Sequence, residues 1–210
     1  MTDAMKIEEI LAGSTVLPVL DVQHPKQAVP LAEALVAGGL KVLEVTLRTP
    51  IALEAVEAIA RAVPEARVGV CSLTRPEQFV QAANAGACFA VSPGLTRVLL
   101  NASAESEMPY LPGVFSPSET MAAHDVGLDY LKLFPAQQAG GIGMLKALRD
   151  PFPNLRFCPA GGIRADNFRE YLAQPNVGCV GGSWVAPRAA VEQGDWALVT
   201  RLAREASAQA

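Results

Sequence analysis

The chain has 210 residues, half of them hydrophobic and 18% charged, with a formal net charge of -4. That length and apolar content suit one sizeable core and exclude an intrinsically disordered chain. Lys and Arg are scattered with no basic stripe for nucleic acid, and no apolar run reaches the ~18 residues that a membrane span requires.

The first residues, Met1-Thr2-Asp3-Ala4-Met5-Lys6, carry mixed charge and lead into a short amphipathic stretch. A basic segment followed by a long apolar one is missing, so a signal peptide is not expected and a cytoplasmic protein with a short N-terminal helix is. From there β-branched runs alternate with Ala/Leu/Glu-rich stretches. Strands are expected over 16–21, 42–47, 67–72, 89–92, 110–113, 130–134, 156–159 and 178–181. Helices are expected over 25–37, 51–62, 76–85, 96–103, 118–124, 144–148 and 166–172, followed by one longer C-terminal stretch. Eight strands, each followed by a helix, predict an α/β fold: a compact (β/α)8 TIM barrel forming one domain over 1–210. A doubly wound open sheet is the alternative, but usually carries fewer strands at this length.

Gly39, Gly86, Gly127 and Gly178 each precede an apolar strand and are expected to cap helices in the left-handed conformation. Ser118 and Thr74 are expected to mark helix starts. The four cysteines, Cys71, Cys88, Cys158 and Cys179, lie in or beside strands, with no Cys-x-x-Cys spacing, and His24 and His124 are isolated. Buried, reduced, structural thiols are expected, and no metal site.

In such barrels the chemistry sits where the strands end and the βα loops begin. The unusual residues of this chain fall there. Glu44 interrupts Val42-Leu43-Glu44-Val45-Thr46-Leu47, and Arg48 follows. The third strand ends in Cys71-Ser72, the fourth in Ser92-Pro93-Gly94, and the sixth, Tyr130-Leu131-Lys132-Leu133-Phe134-Pro135, carries Lys132. The seventh runs into Ala160-Gly161-Gly162 and the eighth into Gly181-Gly182-Ser183. An amine, a carboxylate and a guanidinium among greasy residues also describe a structural ion pair. As a site they suggest carbonyl chemistry: a buried lysine loses its proton readily and can form a Schiff base with a 2-oxo acid. Arg48 would hold the adjacent carboxylate and Glu44 would move protons. Arg48 favours a neutral Lys132 while Glu44 opposes it. Two glycine-rich turns in succession would let backbone N–H groups cradle a phosphate, with the dipole of a following helix adding to the attraction. No cofactor is required, because the iminium is itself the electron sink.

Five segments resemble the class I 2-keto-3-deoxy-6-phosphogluconate (KDPG) aldolase and 4-hydroxy-2-oxoglutarate aldolase family: residues 42–49, 91–96, 131–136, 156–163 and 179–184. The resemblance covers nearly the whole chain. It implies Lys132 as the Schiff-base lysine, Glu44 as acid/base, Arg48 on the pyruvyl carboxylate, and Gly161, Gly162, Gly182 and Ser183 at the phosphate. Ser72, Pro93, Phe134 and Ala160 would complete the substrate pocket. It also implies a homotrimer in the Entner–Doudoroff pathway, cleaving KDPG to pyruvate and an aldehyde.

Four segments depart from the family's usual reading. Gly69-Val70-Cys71-Ser72 stands for G-A-G-T, Ala160 for a threonine, Phe115 for a serine, and Gln137 for a glutamate. A missing pocket hydroxyl weakens discrimination in favour of a hydroxylated substrate, so a shift toward a less hydroxylated or more apolar acceptor is expected, whether from natural divergence or engineering. Competing readings are a sugar-phosphate isomerase or epimerase on the same barrel, and a trimeric scaffold with a vestigial pocket.

Overall fold

A computed structural model describes residues 5–208, so Met1 to Ala4, on which part of the leader reading rests, lie outside the described residues. Nine parallel strand segments alternate with helices: α1 (Ile7–Leu11), β1 (Val16–Leu20), α2 (Pro25–Ala37), β2 (Val42–Thr46), α3 (Ala52–Ala62), β3 (Arg67–Cys71), α4 (Glu77–Asn84), β4 (Ala90–Val91) and α5 (Arg97–Ser106). The second half runs β5 (Tyr110–Leu111), β6 (Gly113–Val114), α6 (Pro117–His124), β7 (Tyr130–Leu133), α7 (Gly141–Arg149), β8 (Arg156–Pro159), α8 (Phe168–Leu172), β9 (Val180–Gly182), α9 (Arg188–Gln193) and α10 (Trp196–Ser207).

The expected eight-stranded barrel is formed. Strands pair in the order β5-β4-β3-β2-β1-β9 and β6-β7-β8. The bridge Ala160↔Gly181 joins β8 to β9, and β1 meets β9 at Val16↔Val180. The fifth barrel strand is divided at Pro112. Before it, Leu111 pairs with Val91 of β4, and after it Gly113 pairs with Lys132 of β7. Proline has no N–H for a ladder, but its carbonyl accepts from Lys132 N at 2.8 Å. The strand therefore changes partners at that residue without leaving the ring.

Two apolar layers hold the barrel. The outer one lies between strands and helices, where α2, α3 and α10 bury Leu31, Leu35, Val56, Ile59, Val199 and Ala203. The inner one fills the barrel with Leu17, Val42, Cys71, Phe89, Val91, Leu111, Tyr130, Cys158 and Cys179. Ile7, Ile10 and Leu11 of α1 join that inner layer. Arg67 donates to the carbonyls of Glu9 and Ile10, so α1 closes the barrel at the ends where the strands start. The opposite, C-terminal end is left for the loops.

Several local expectations are corrected. The C-terminal stretch is two helices, because Gly194 adopts φ +69° and Asp195 starts α10 by accepting from Leu198 N. Gly39, Gly86 and Gly127 have positive φ, but Gly178 does not; a side chain there would collide with the Tyr130 hydroxyl. The start of α6 is capped by Ser116, not Ser118, with Glu119 completing a capping box ahead of Pro117. The turn before α4 is held by Gln78, whose side-chain Oε1 accepts from the backbone amides of Thr74 and Arg75. Three cysteines are buried, but Cys88 is exposed; all four are free thiols. Among the described residues no helix is long and apolar enough to cross a membrane.

Candidate active site

The loops at the C-terminal end surround a cavity of about 700 Å³. Every residue expected to bind substrate lines it: Arg48, Ser72, Pro93, Phe134, Ala160, Gly161, Gly162, Gly182 and Ser183, together with Lys132. Glu44 lies beneath the cavity floor, with no exposed surface, while Lys132 is 6% exposed.

Glu44 and Lys132 come from β2 and β7, which are not neighbours in the ring. Glu44 is in register with Val19 on one side and Gly69 on the other; Lys132 with Gly113 and Cys158. They meet across the barrel, where Lys132 Nζ donates to Glu44 Oε1 at 3.2 Å. Oε2 of the same carboxylate accepts no hydrogen bond. Burial alone pushes the Lys132 ammonium toward its neutral form, but the Glu44 carboxylate, with Cys71 and Cys158, outweighs it and holds the amine above the ordinary lysine value. The opposition expected between Arg48 and Glu44 is thus resolved in favour of Glu44. The Phe134 ring centroid lies 5.4 Å from Nζ and forms part of the wall.

Arg48 is exposed at the rim, in the turn after β2. That turn is fixed by Leu47 N donating to Cys71 O at 2.8 Å and by Thr49 Oγ1 donating to Val22 O at 3.0 Å. Ser72 continues β3 into the cavity wall with φ +61°, a left-handed conformation that a non-glycine residue seldom adopts. Pro93 is held by buried Ser92, whose hydroxyl donates to Gly94 O at 2.8 Å and lies 2.6 Å from the Tyr110 hydroxyl.

The glycine-rich turn after β8 has left-handed backbone at Gly161 and Gly162. Its carbonyls are occupied: Ala160 O accepts from Ala136 N at 2.7 Å, Gly161 O from Gln137 N at 3.1 Å, and Gly162 O from Asn167 Nδ2 at 3.0 Å. On the neighbouring turn a side chain at Gly182 would overlap the Trp184 ring. Both turns thus need glycine so that bare backbone can face the cavity. The helices that follow begin only at Phe168 and Arg188. No helix starts on the glycines themselves, so the expected help from a helix dipole at those residues is corrected: only the backbone of the turns faces the cavity there.

Of the departures, Cys71, Ser72 and Ala160 line the cavity, and the Gln137 side chain abuts Gly162. Phe115 does not line it and is 45% exposed on the outside, so three of the four departing segments meet the pocket and the fourth does not. Sequence reading missed Cys71 as a neighbour of the charge pair. It also missed the outer mouth, which Asp21, Gln23, Gln27, Arg188 and Glu192 share. Arg188 there is paired with Glu192. Nothing marks these ordinary polar residues until the loops assemble. Among the described residues no group of three His, Cys, Asp or Glu could hold a metal ion.

Comparison with known proteins points one way. The family model described as KDPG and KHG aldolase matches residues 7–202. The KHG/KDPG aldolase of Escherichia coli K12 is 50% identical over 199 residues, 95% of this chain and 93% of that protein. A KDPG aldolase structure from Legionella pneumophila, with pyruvate captured at low pH as a covalent carbinolamine intermediate, superposes with a TM-score of 0.93 at 48% identity, covering 95% of this chain and 97% of its own. The Zymomonas mobilis ZM4 enzyme solved with 3-phosphoglycerate also gives 0.93, at 44% identity, covering 98% and 97%.

Proposed function

The chain belongs to the KDPG and KHG aldolase family, and from that premise we propose that it is a class I lyase that cleaves and forms KDPG and 4-hydroxy-2-oxo acids through a Schiff base on Lys132. The observation that carries this is the buried Lys132–Glu44 pair at the floor of an open cavity. The carbinolamine formed by pyruvate in the Legionella relative supports it.

At rest Lys132 is an ammonium, so it must first hand a proton to Glu44 or to water before it can attack. The freed amine adds to the ketone of the 2-oxo acid, giving a carbinolamine, which loses water to form an iminium. Glu44, directly or through water, then takes the proton of the C4 hydroxyl as the C3–C4 bond, one removed from the iminium carbon, breaks. The electrons of that bond flow into the iminium, the aldehyde leaves, and an enamine remains. Protonation of the enamine carbon by Glu44, directly or through water, restores an iminium. Hydrolysis then releases pyruvate and the free lysine. Arg48, at the rim, is the residue for the pyruvyl carboxylate, with Ser72, Pro93 and Phe134 as walls. Gly161, Gly162, Gly182 and Ser183 take the phosphate of the aldehyde end through backbone N–H groups and a hydroxyl. This sequence needs no metal and no cofactor beyond the covalent lysine adduct.

Ala160, which lacks the hydroxyl usual in the family, supports a preference moved toward a less hydroxylated acceptor. Exposed Val98, Met121, Val126 and Phe115, on and beside α5 and α6, supply an apolar surface for a homotrimer, which light scattering would test. The free thiols suit the cytoplasm as the compartment.

The deciding experiment is borohydride reduction in the presence of pyruvate, followed by peptide mass spectrometry. A reduced pyruvyl adduct is expected on Lys132. An adduct confined to other lysines, or none, would remove the Schiff-base reading.

A further inference from the structure

We propose that Cys71 is a positioning residue for Glu44, its thiol donating to the carboxylate oxygen Oε2 that Lys132 leaves unpartnered. Cys71 ends β3 opposite Thr46 of β2, two residues beyond Glu44 and on the same inward face of the barrel. It is 1% exposed and lines the same cavity as Lys132. Glu44 is wholly buried, and a buried carboxylate oxygen without a donor is costly. Rotation about Cβ–Sγ sets the direction of the S–H, and a hydrogen bond to the Glu44 carboxylate is among the influences on the thiol; aimed at Oε2, it would leave Oε1 to Lys132.

The thiol is suited to donate, not to attack. Burial first, and then the Glu44 carboxylate beside it, hold Cys71 well above the ordinary thiol value, although Lys132 and Arg48 pull the other way. It therefore stays S–H at neutral pH, and an S–H next to a carboxylate can only give its proton to a hydrogen bond. The family pattern G-A-G-T, set against Gly69-Val70-Cys71-Ser72, reads glycine at this position. Glycine there also provides a variant compatible with the fold.

The inference rests on the Schiff-base reading for its effect on catalysis, but its physical core can be checked without substrate. Infrared difference spectra of the resting protein against Cys71→Gly isolate the Cys71 S–H stretch. A band shifted down from that of a free thiol is expected, moving back in Glu44→Gln. Exchange of the pyruvate methyl protons in deuterium oxide then reads enamine protonation, while borohydride trapping reads iminium formation. Because a hydrogen bond to a charged acceptor is at stake, exchange should fall roughly three- to tenfold in Cys71→Gly and Cys71→Ala, with trapping changed less. Cys71→Ser, which keeps a donor, should restore exchange. A band at the free-thiol position, or exchange unaltered in both donor-less variants, overturns the proposal. Loss of trapping in the unaltered protein would instead overturn the Schiff-base reading and leave the infrared result standing.

Discussion

Lys132 Nζ and Glu44 Oε1 lie 3.2 Å apart inside the barrel, one from β7 and one from β2, each inaccessible or nearly so to water. The pair gives one short contact two duties. It keeps the lysine charged against the pull of burial, and under the proposed function it places a proton acceptor against the amine. A buried pair broken on one side costs roughly 3–5 kcal/mol when the remaining charge cannot escape, but here the ammonium can escape by losing its proton.

That difference has a sign in pH. In the native pair Lys132 stands above its ordinary value, so its contribution to stability is fully present below the ordinary lysine value and is lost as pH rises through the higher, folded one. Glu44→Gln removes the carboxylate and leaves burial, the largest influence, opposed only by Cys71 and Cys158, thiols that are themselves held protonated, so the lysine is depressed instead. The unfolded state then binds the proton better, and stability should rise with pH across the alkaline range. Urea unfolding at neutral and alkaline pH should therefore slope in opposite directions for the two proteins. Parallel slopes would mean that the pair does not set the charge of Lys132.

At Gly162 the backbone has φ +83°, and an added side chain would run into Gln137. Gly162→Ala should cost about 1–2 kcal/mol in denaturant unfolding. It should also raise KM for a phosphorylated substrate by more than it changes pyruvate proton exchange, which does not use the phosphate end. Equal effects on both would place the turn outside phosphate binding.

The barrel was legible in the sequence because parallel strands buried on both faces read as apolar runs, and charges inside them stand out. Glu44 and Lys132 were visible for that reason alone. What the sequence hid was geometry built from silence. Pro112 divides a strand that reads as continuous. Gly178 looks like a helix cap but makes room for the Tyr130 hydroxyl. Phe115, next to a pocket loop in the chain, faces outward because the loop turns after β6. Cys71 reads as one more core thiol until the register sets it beside Glu44.

Ala160 is buried in the cavity wall, and across from it Gly181 has no side chain: a Cβ there would come within 2.8 Å of the Ala160 Cβ. Ala160 also lines the cavity, which has space for the two further atoms of a threonine side chain. Ala160→Thr should therefore fold, and its hydroxyl should raise kcat/KM for a hydroxylated, phosphorylated acceptor over an apolar one by roughly tenfold or more, the value of one good hydrogen bond. Parallel kinetics with the two acceptors provide the check. If the unaltered protein already cleaves KDPG far better than any apolar analogue, and the substitution leaves the ratio in place, the shifted preference is wrong.

Ser72 carries the clearest backbone strain at the site, a left-handed φ of +61° in a residue with a Cβ. Such a conformation costs about 1–2 kcal/mol relative to glycine, part of which glycine gives back through the greater freedom of its unfolded chain. Ser72→Gly should raise Tm by roughly 1–4 °C, the shift that up to about 1 kcal/mol produces in a chain of this size. Ser72→Thr should lower it, since a branched Cβ crowds the left-handed backbone further. The serine hydroxyl is then what the strain retains, so Ser72→Gly should lose activity while gaining stability. A glycine variant that is both more stable and fully active would show that the hydroxyl touches nothing in the reaction, leaving the strained turn to serve only the path of the chain from β3 into the cavity wall.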